Sequence, residues 1–254
     1  MEFPEYLERL KMQLAIDYNC SAEVFDSAEN VITVSAANEG RRMYSEKVQF
    51  FQMATLGKNA VISADESLHP FLEEFVKDKQ GHWLFEQEKL FVIDRELNKH
   101  GYKLWSTHHL YLPKFDVTFT SNIPVKWFAG RAQIEPFYEG GRFPNALCDH
   151  YIENRPDRFA VCAYDGENIM GMAGCSEDSP GWFQIGIDVF AEYRGRGIGT
   201  YLSLLMKNEI IRRGGIPFYG TSEANIHSRN IAQNCGFCPA WAEIEAKPIK
   251  LADY

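Results

Sequence analysis

The seven residues Arg194-Gly195-Arg196-Gly197-Ile198-Gly199-Thr200 constrain this chain more than any other stretch. A strand-like apolar run from Trp182 leads into them, and a helical pattern with Leu202, Leu205, Met206 and Ile210 on one face leaves them. A strand, a glycine-rich turn and a helix start expose unpaired backbone N–H groups at the positive end of a helix dipole. Glycine lets a bulky anion approach that backbone, so the turn suits phosphate. Two phosphate loops fit the spacing poorly. A P-loop requires a lysine before Thr200, where Gly199 stands. The dinucleotide fingerprint requires G-x-G-x-x-G, whereas these glycines are two apart and no acidic residue ends a second strand about 20 residues on. What remains is R-x-x-G-x-G, from Arg194 through Gly197 to Gly199, or else a glycine-rich turn with no ligand.

A second constellation follows at a fitting distance: Thr221-Ser222-Glu223-Ala224-Asn225, then Ser228, then Gly236-Phe237. With both motifs in this order the chain resembles the GCN5-related N-acetyltransferase (GNAT) superfamily, whose pyrophosphate loop is [QR]-x-x-G-x-[GA] and whose second motif is a strand, N-x-x-[AS] and a helix ending in GF. The resemblance covers roughly residues 120 to 250. More narrowly, Ala173–Asp178 and Gln184–Val189 look like the bacterial branch that includes zwittermicin A resistance acetyltransferases.

The chain has 254 residues, which is long for one such domain and points to two compact units. Its 45% hydrophobic and 24% charged content is that of a globular protein. No apolar run approaches a bilayer span and Met1–Glu5 lacks a signal-peptide pattern, so a cytoplasmic protein with no membrane partner is expected. The net charge of −9 divides into −6 for positions 1–124 and −3 for the rest. Neither half has the cationic surface on which nucleic acid binding rests, so that class is set aside. Six scattered cysteines predict reduced thiols rather than a disulfide framework. Cys235-Gly236-Phe237-Cys238 follows a helix instead of opening one, which argues against a redox pair, and no ligand spacing suggests a metal.

The first half reads as α+β. Phe3 to Asp17 is an amphipathic helix, and Val31–Val34, Val48–Ala54 and Asn59–Ile62 are short strands. A capping box of Ser63 and Glu66 opens a helix with Leu68, Phe71, Leu72, Phe75 and Val76 on its core face. Another helix runs from Phe85 to Lys99 and stops at Gly101, and Tyr102–Leu112 is one strand carrying His108 and His109 on opposite faces. With the boundary near residue 120, the predicted domains are 1–120 and 121–254. The second half reads as strand Pro124–Ile134, a loop to Pro144, helix Asn145–Asn154 and a hairpin of Phe159–Tyr164 with Ile169–Cys175. Then come strand Trp182–Phe190, the loop and its helix, strand Ile216–Thr221, helix Asn230–Cys235 and strand Ala240–Ala246. That is an α/β (α+β) fold class with a mixed central sheet and flanking helices in the C-terminal half.

The resemblance implies acetyl-CoA as cosubstrate, with no metal, and direct transfer of the acetyl group to an amine of a small molecule. It implies that Val189 and Phe190 contact the pantetheine. Arg194, Gly195, Arg196, Gly197, Ile198, Gly199 and Thr200 hold the pyrophosphate, and Asn225 and Ser228 approach from the other side. The proton of the amine needs a base near the strand ends, for which Asp188, Glu177, Asp178 and Glu223 are candidates. Many relatives carry a tyrosine four residues before the GF pair that protonates the departing thiolate; here Ala232 stands there, with Ser228 and Tyr219 as potential substitutes. The N-terminal half is expected to shape the acceptor site; the sequence does not set the oligomeric state, and a homodimer is compatible with it. A catalytically silent acyl-CoA-binding module and a two-domain aminoacyl transferase are the alternatives.

Overall fold

The computed structural model describes residues 1–43 and 47–250. In chain order the elements are α1 (Phe3–Asp17), β1 (Val31–Val34), β2 (Phe51–Thr55), β3 (Val61–Ala64), α2 (His69–Val76), α3 (Gln87–Lys99), β4 (Tyr102–Leu104), β5 (His108–Pro113), β6 (Val125–Ala129) and the single turn α4 (Arg131–Ile134). They continue with β7 (Asp157–Asp165), β8 (Asn168–Ser179), β9 (Trp182–Val189), α5 (Ile198–Arg212), β10 (Ile216–Ser222), α6 (Ile226–Asn234) and β11 (Phe237–Pro248). The chain forms two compact units. One comprises Met1–Tyr6 and Tyr111–Pro239, the other Leu7–Leu110 and Ala240–Tyr254.

In the second unit β1 runs parallel to β3, β3 antiparallel to β2, and β2 antiparallel to Ala242–Glu245 of β11, whose Ala246–Pro248 end takes β4. Leu68, Leu72, Leu84, Ile93 and Leu97 pack with Phe51, Met53 and Ile62 into its core. Ser63 does not cap α2, because it lies in β3 opposite Thr33 and Gln52. Asp65 instead caps the short 3-10 turn Glu66–Leu68 that leads into α2, accepting from Ser67 N–H at 3.0 Å, and α2 itself follows from Leu68 without a side-chain cap. The expected strand Tyr102–Leu112 is broken into β4 and β5.

The first unit carries the glycine-rich loop. β6, β7, β8 and β9 form an antiparallel meander, and β10 adds parallel to β9. Alternation along β7 sends Val161 and Ala163 toward α5, into a core with Leu202, Met206, Ile210 and Tyr219. Ala160 and Cys162 face the other way and pack with Ile134, Phe143, Leu147 and Met172. Asn145–Asn154 is not a helix. The N–H groups of Asn145 and Ala146 donate to Asp188 at 2.8 and 2.9 Å, and that of Cys148 to Asp157 at 2.9 Å, so they are drawn to carboxylates instead of a helical ladder. Gly174 and Gly186, paired across β8 and β9, leave the floor bare for this segment. A Cβ on either would stand 2.0 or 1.8 Å from the carbonyl oxygens of Ala146 and Asn145.

Candidate functional site

β9 and β10 are paired from Trp182 and Ile216 only as far as Ile185 and Tyr219. β9 nevertheless continues to Val189 and β10 to Ser222, so the two parallel strands part at their C-terminal ends. Such a gap between diverging parallel strands leaves main-chain polar groups facing a cleft. The Phe190 N–H donates to Met170 at 3.0 Å, on the β8 side. By alternation Val189 therefore presents its amide toward the gap, and its carbonyl accepts from Arg194 Nε at 2.9 Å. Phe190 spends its own carbonyl on Tyr193 N–H.

Beyond this edge the chain turns into α5. Gly197 is the N-cap, at φ +76° and ψ 2°, a left-handed conformation that an L side chain adopts with strain. No side chain caps the helix, and its first closing bond is Tyr201 N–H to Gly197 carbonyl. The amides of Ile198, Gly199 and Thr200 thus lie in the first turn, where helical partners do not exist. Gly199 is buried, and a Cβ there would come 3.0 Å from Ile231 Cδ1 and 3.6 Å from Val189 Cγ2. Arg194 and Arg196 are exposed, and Arg196 folds back to donate to Glu192 carbonyl at 3.1 Å. The ring of Phe119 lies 5.8 Å from that of Tyr201 beside the loop. An uncapped N-terminus of a 15-residue helix, opened by a left-handed glycine next to a strand gap, fits a diphosphate joined to an extended acyl-carrying arm.

On the far side of the gap, Asn225 caps α6 by accepting from Ser228 N–H at 3.1 Å. The Ser228 hydroxyl is 2.9 Å from that of Tyr219, and burial pushes the Tyr219 hydroxyl up to about 12. Ala232 is fully buried in the core beneath.

The candidate carboxylates are held differently. Asp188 accepts from the N–H of Asn145, the N–H of Ala146 and the Asn145 side chain, the last at 2.6 Å. Glu177 pairs with Arg158 at 2.7 Å and accepts from Gly181 N–H at 3.1 Å. Asp178 is fully buried, 2.8 Å from Arg155 and 2.6 Å from the Ser176 hydroxyl. Glu223 is exposed on the turn after β10. Cys235 lies at the end of α6, buried, its thiol 3.2 Å from Thr200 carbonyl and pushed up to about 12 by desolvation. A reactive thiolate is thereby disfavoured.

Two features at the mouth of the gap escape the sequence pattern. Asn145 is fastened to Asp188, 43 positions on, and Arg142 stacks on Phe143 and Phe190. The contacts of Asn145 with Asp188 and of Arg142 with Phe190 are tertiary, and the local signal for them is the Gly140-Gly141 turn that precedes them.

Comparison with known proteins bears on the same stretch. No curated protein matches the chain. Among solved structures, a GCN5-related N-acetyltransferase-like protein from Streptococcus suis is 13% identical with a TM-score of 0.49, over 96% of this chain and 99% of that one. A GCN5-related N-acetyltransferase from Kribbella flavida is 15% identical, TM-score 0.45, over 62% of this chain and 64% of that one. A Bacillus subtilis acetyltransferase in complex with CoA is 16% identical, TM-score 0.36, over 50% of this chain and 100% of that one. Residues 122–237, which contain the parted strands, the loop and α6, match the model of the acetyltransferase (GNAT) family.

Proposed function

We propose that the chain is an acetyl-CoA-dependent N-acetyltransferase that passes the acetyl group directly to an amine of a small molecule. The observation that carries this reading is the parting of β9 from β10 after Ile185 and Tyr219, immediately before an uncapped helix opened by Gly197. Acetyl-CoA, when bound, supplies the acetyl group as a thioester whose sulfur, as a thiol of ordinary pKa near 8.5, is a tolerable leaving group.

The chain's own residues do the rest. The amides of Ile198, Gly199 and Thr200 hold the diphosphate, and Gly195, Arg194 and Arg196 complete the loop and add positive charge. Val189 offers its amide to the acyl-carrying arm, orienting the thioester beside Phe190, while Asn225 and Ser228 border the arm from α6. The amine nitrogen bonds the acyl carbon as the carbon–sulfur bond breaks. Its proton goes to a carboxylate, and the sulfur takes one from water.

For that carboxylate we favour Glu223. Asp188, Glu177 and Asp178 are already committed to backbone N–H groups or guanidinium groups, so proton uptake there would cost structure. Glu223 stands at the end of β10 and carries no such duty among the described residues. Glu223→Gln should lower kcat roughly 10²- to 10⁴-fold while leaving the Kd for acetyl-CoA unchanged. A loss below tenfold would move the role to another group or to water.

A further inference from the structure

Arg142 occupies the other mouth of the gap. Successive residues of β9 face opposite sides, and Val189 packs toward α5 whereas Phe190 packs with the Phe143 and Leu147 cluster. The phosphates of the donor belong to the α5 side, so an acceptor has to approach past Phe190. There the Arg142 guanidinium carbon stands 5.3 Å from the centroid of the Phe190 ring and 5.5 Å from that of Phe143. The two rings are 5.5 Å apart.

This platform is fixed from below. Phe143 is buried, its carbonyl accepts from Leu147 N–H at 3.1 Å, and the next two N–H groups after Pro144 are held by Asp188. Phe190 is tied to β8 through Met170. Arginine stacked on aromatic faces keeps its planar fork of donors at the ring edge, where it matches a carboxylate in a two-bond geometry. Among the described residues Arg142 forms no ion pair, and it is exposed. In a chain of net charge −9, an acidic small molecule meets repulsion over most of the surface, and a preset guanidinium is where it would be retained.

We propose that Arg142 binds a carboxylate on the acceptor, so that the substrate class is an amine bearing an acid group, such as an amino acid. This rests on the transfer reading above, and it selects among amines where that reading does not.

The test uses the full chain with acetyl-CoA and a panel of amino acids, each paired with its primary amide. Wild type should show lower KM for the acids. Arg142→Ala should raise KM for the acids roughly ten- to hundredfold, with kcat and the KM for acetyl-CoA little changed and the amides unaffected. Arg142→Lys should recover part of the loss, and calorimetry of the best acid should show the same order of affinities. A wild type that favours the amides, or an Arg142→Ala variant that shifts acids and amides alike, overturns the acceptor assignment and leaves the transfer reading standing. Failure of wild type to bind acetyl-CoA overturns both.

Discussion

Tyr219 is the last residue of β10 paired with β9, and its hydroxyl reaches Ser228 at 2.9 Å. It looks suited to protonate a departing thiolate in place of the tyrosine that Ala232 replaces. Its surroundings argue otherwise. The side chain is 2% exposed, its hydroxyl is engaged with Ser228, and burial raises its pKa to about 12, which makes it a weak acid. A thiol leaving group gains least from general acid help. Tyr219→Phe and Ser228→Ala are each expected to change kcat less than tenfold, with the alkaline limb of the pH profile unmoved because Tyr219 stays protonated up to its raised pKa. A hundredfold loss at unchanged acetyl-CoA affinity would establish this pair as the acid. At this scale the sequence exposes Gly197 and Gly199 through spacing alone, whereas the stacking of Arg142 exists only once Phe143 and Phe190 are folded together.

The strand–loop–helix unit from Trp182 to Arg212 was legible because period-2 and period-3.6 patterns abut there, separated by glycines. The stretch 145–154 shows the opposite case. Its composition allows a helix, but its N–H groups are claimed by Asp188, 43 positions beyond Asn145, and by Asp157, nine positions beyond Cys148. The Ser63–Glu66 capping box failed similarly, since pairing with β1 and β2 overrides a local cap. The segment at 145–147 is also where packing tolerates least. Gly186→Ala would put a methyl 1.8 Å from Asn145 carbonyl, so backbone on one side must shift. We expect a loss of about 3 kcal/mol or more, read as a shift in the denaturation midpoint. A loss below about 0.5 kcal/mol would mean that this loop is not pressed on the sheet.

At the scale of the whole molecule, each compact unit draws on stretches distant in sequence. Local patterns suggest the mixed sheet with its flanking helices but carry little information about such long-range membership. The unit bearing the loop includes Tyr111, 1% exposed in its core, and the strap after it, where Lys114 and Phe115 donate to Gly236 carbonyl. The buried Lys207, whose pKa desolvation lowers, donates to Cys235 carbonyl at 2.6 Å. A fragment 107–239 should therefore melt at a higher temperature than 121–239, which lacks Tyr111 and the strap. Equal melting would contradict their place in that core. No helix among the described residues is long and apolar enough to cross a membrane.

The proposed transfer has the glycine loop and the parted strands hold acetyl-CoA for an amine. Its most direct measurement is release of free thiol from acetyl-CoA, with and without an amine panel, in wild type and in the double variant Gly197→Val with Gly199→Val. We expect amine-dependent release in wild type and loss of both release and calorimetric acetyl-CoA binding in a still-folded variant, because side chains then stand where phosphate meets backbone. Unchanged binding in that folded variant would contradict the loop assignment, and tight binding in wild type with no release for any amine would show a silent acyl-CoA-binding protein instead.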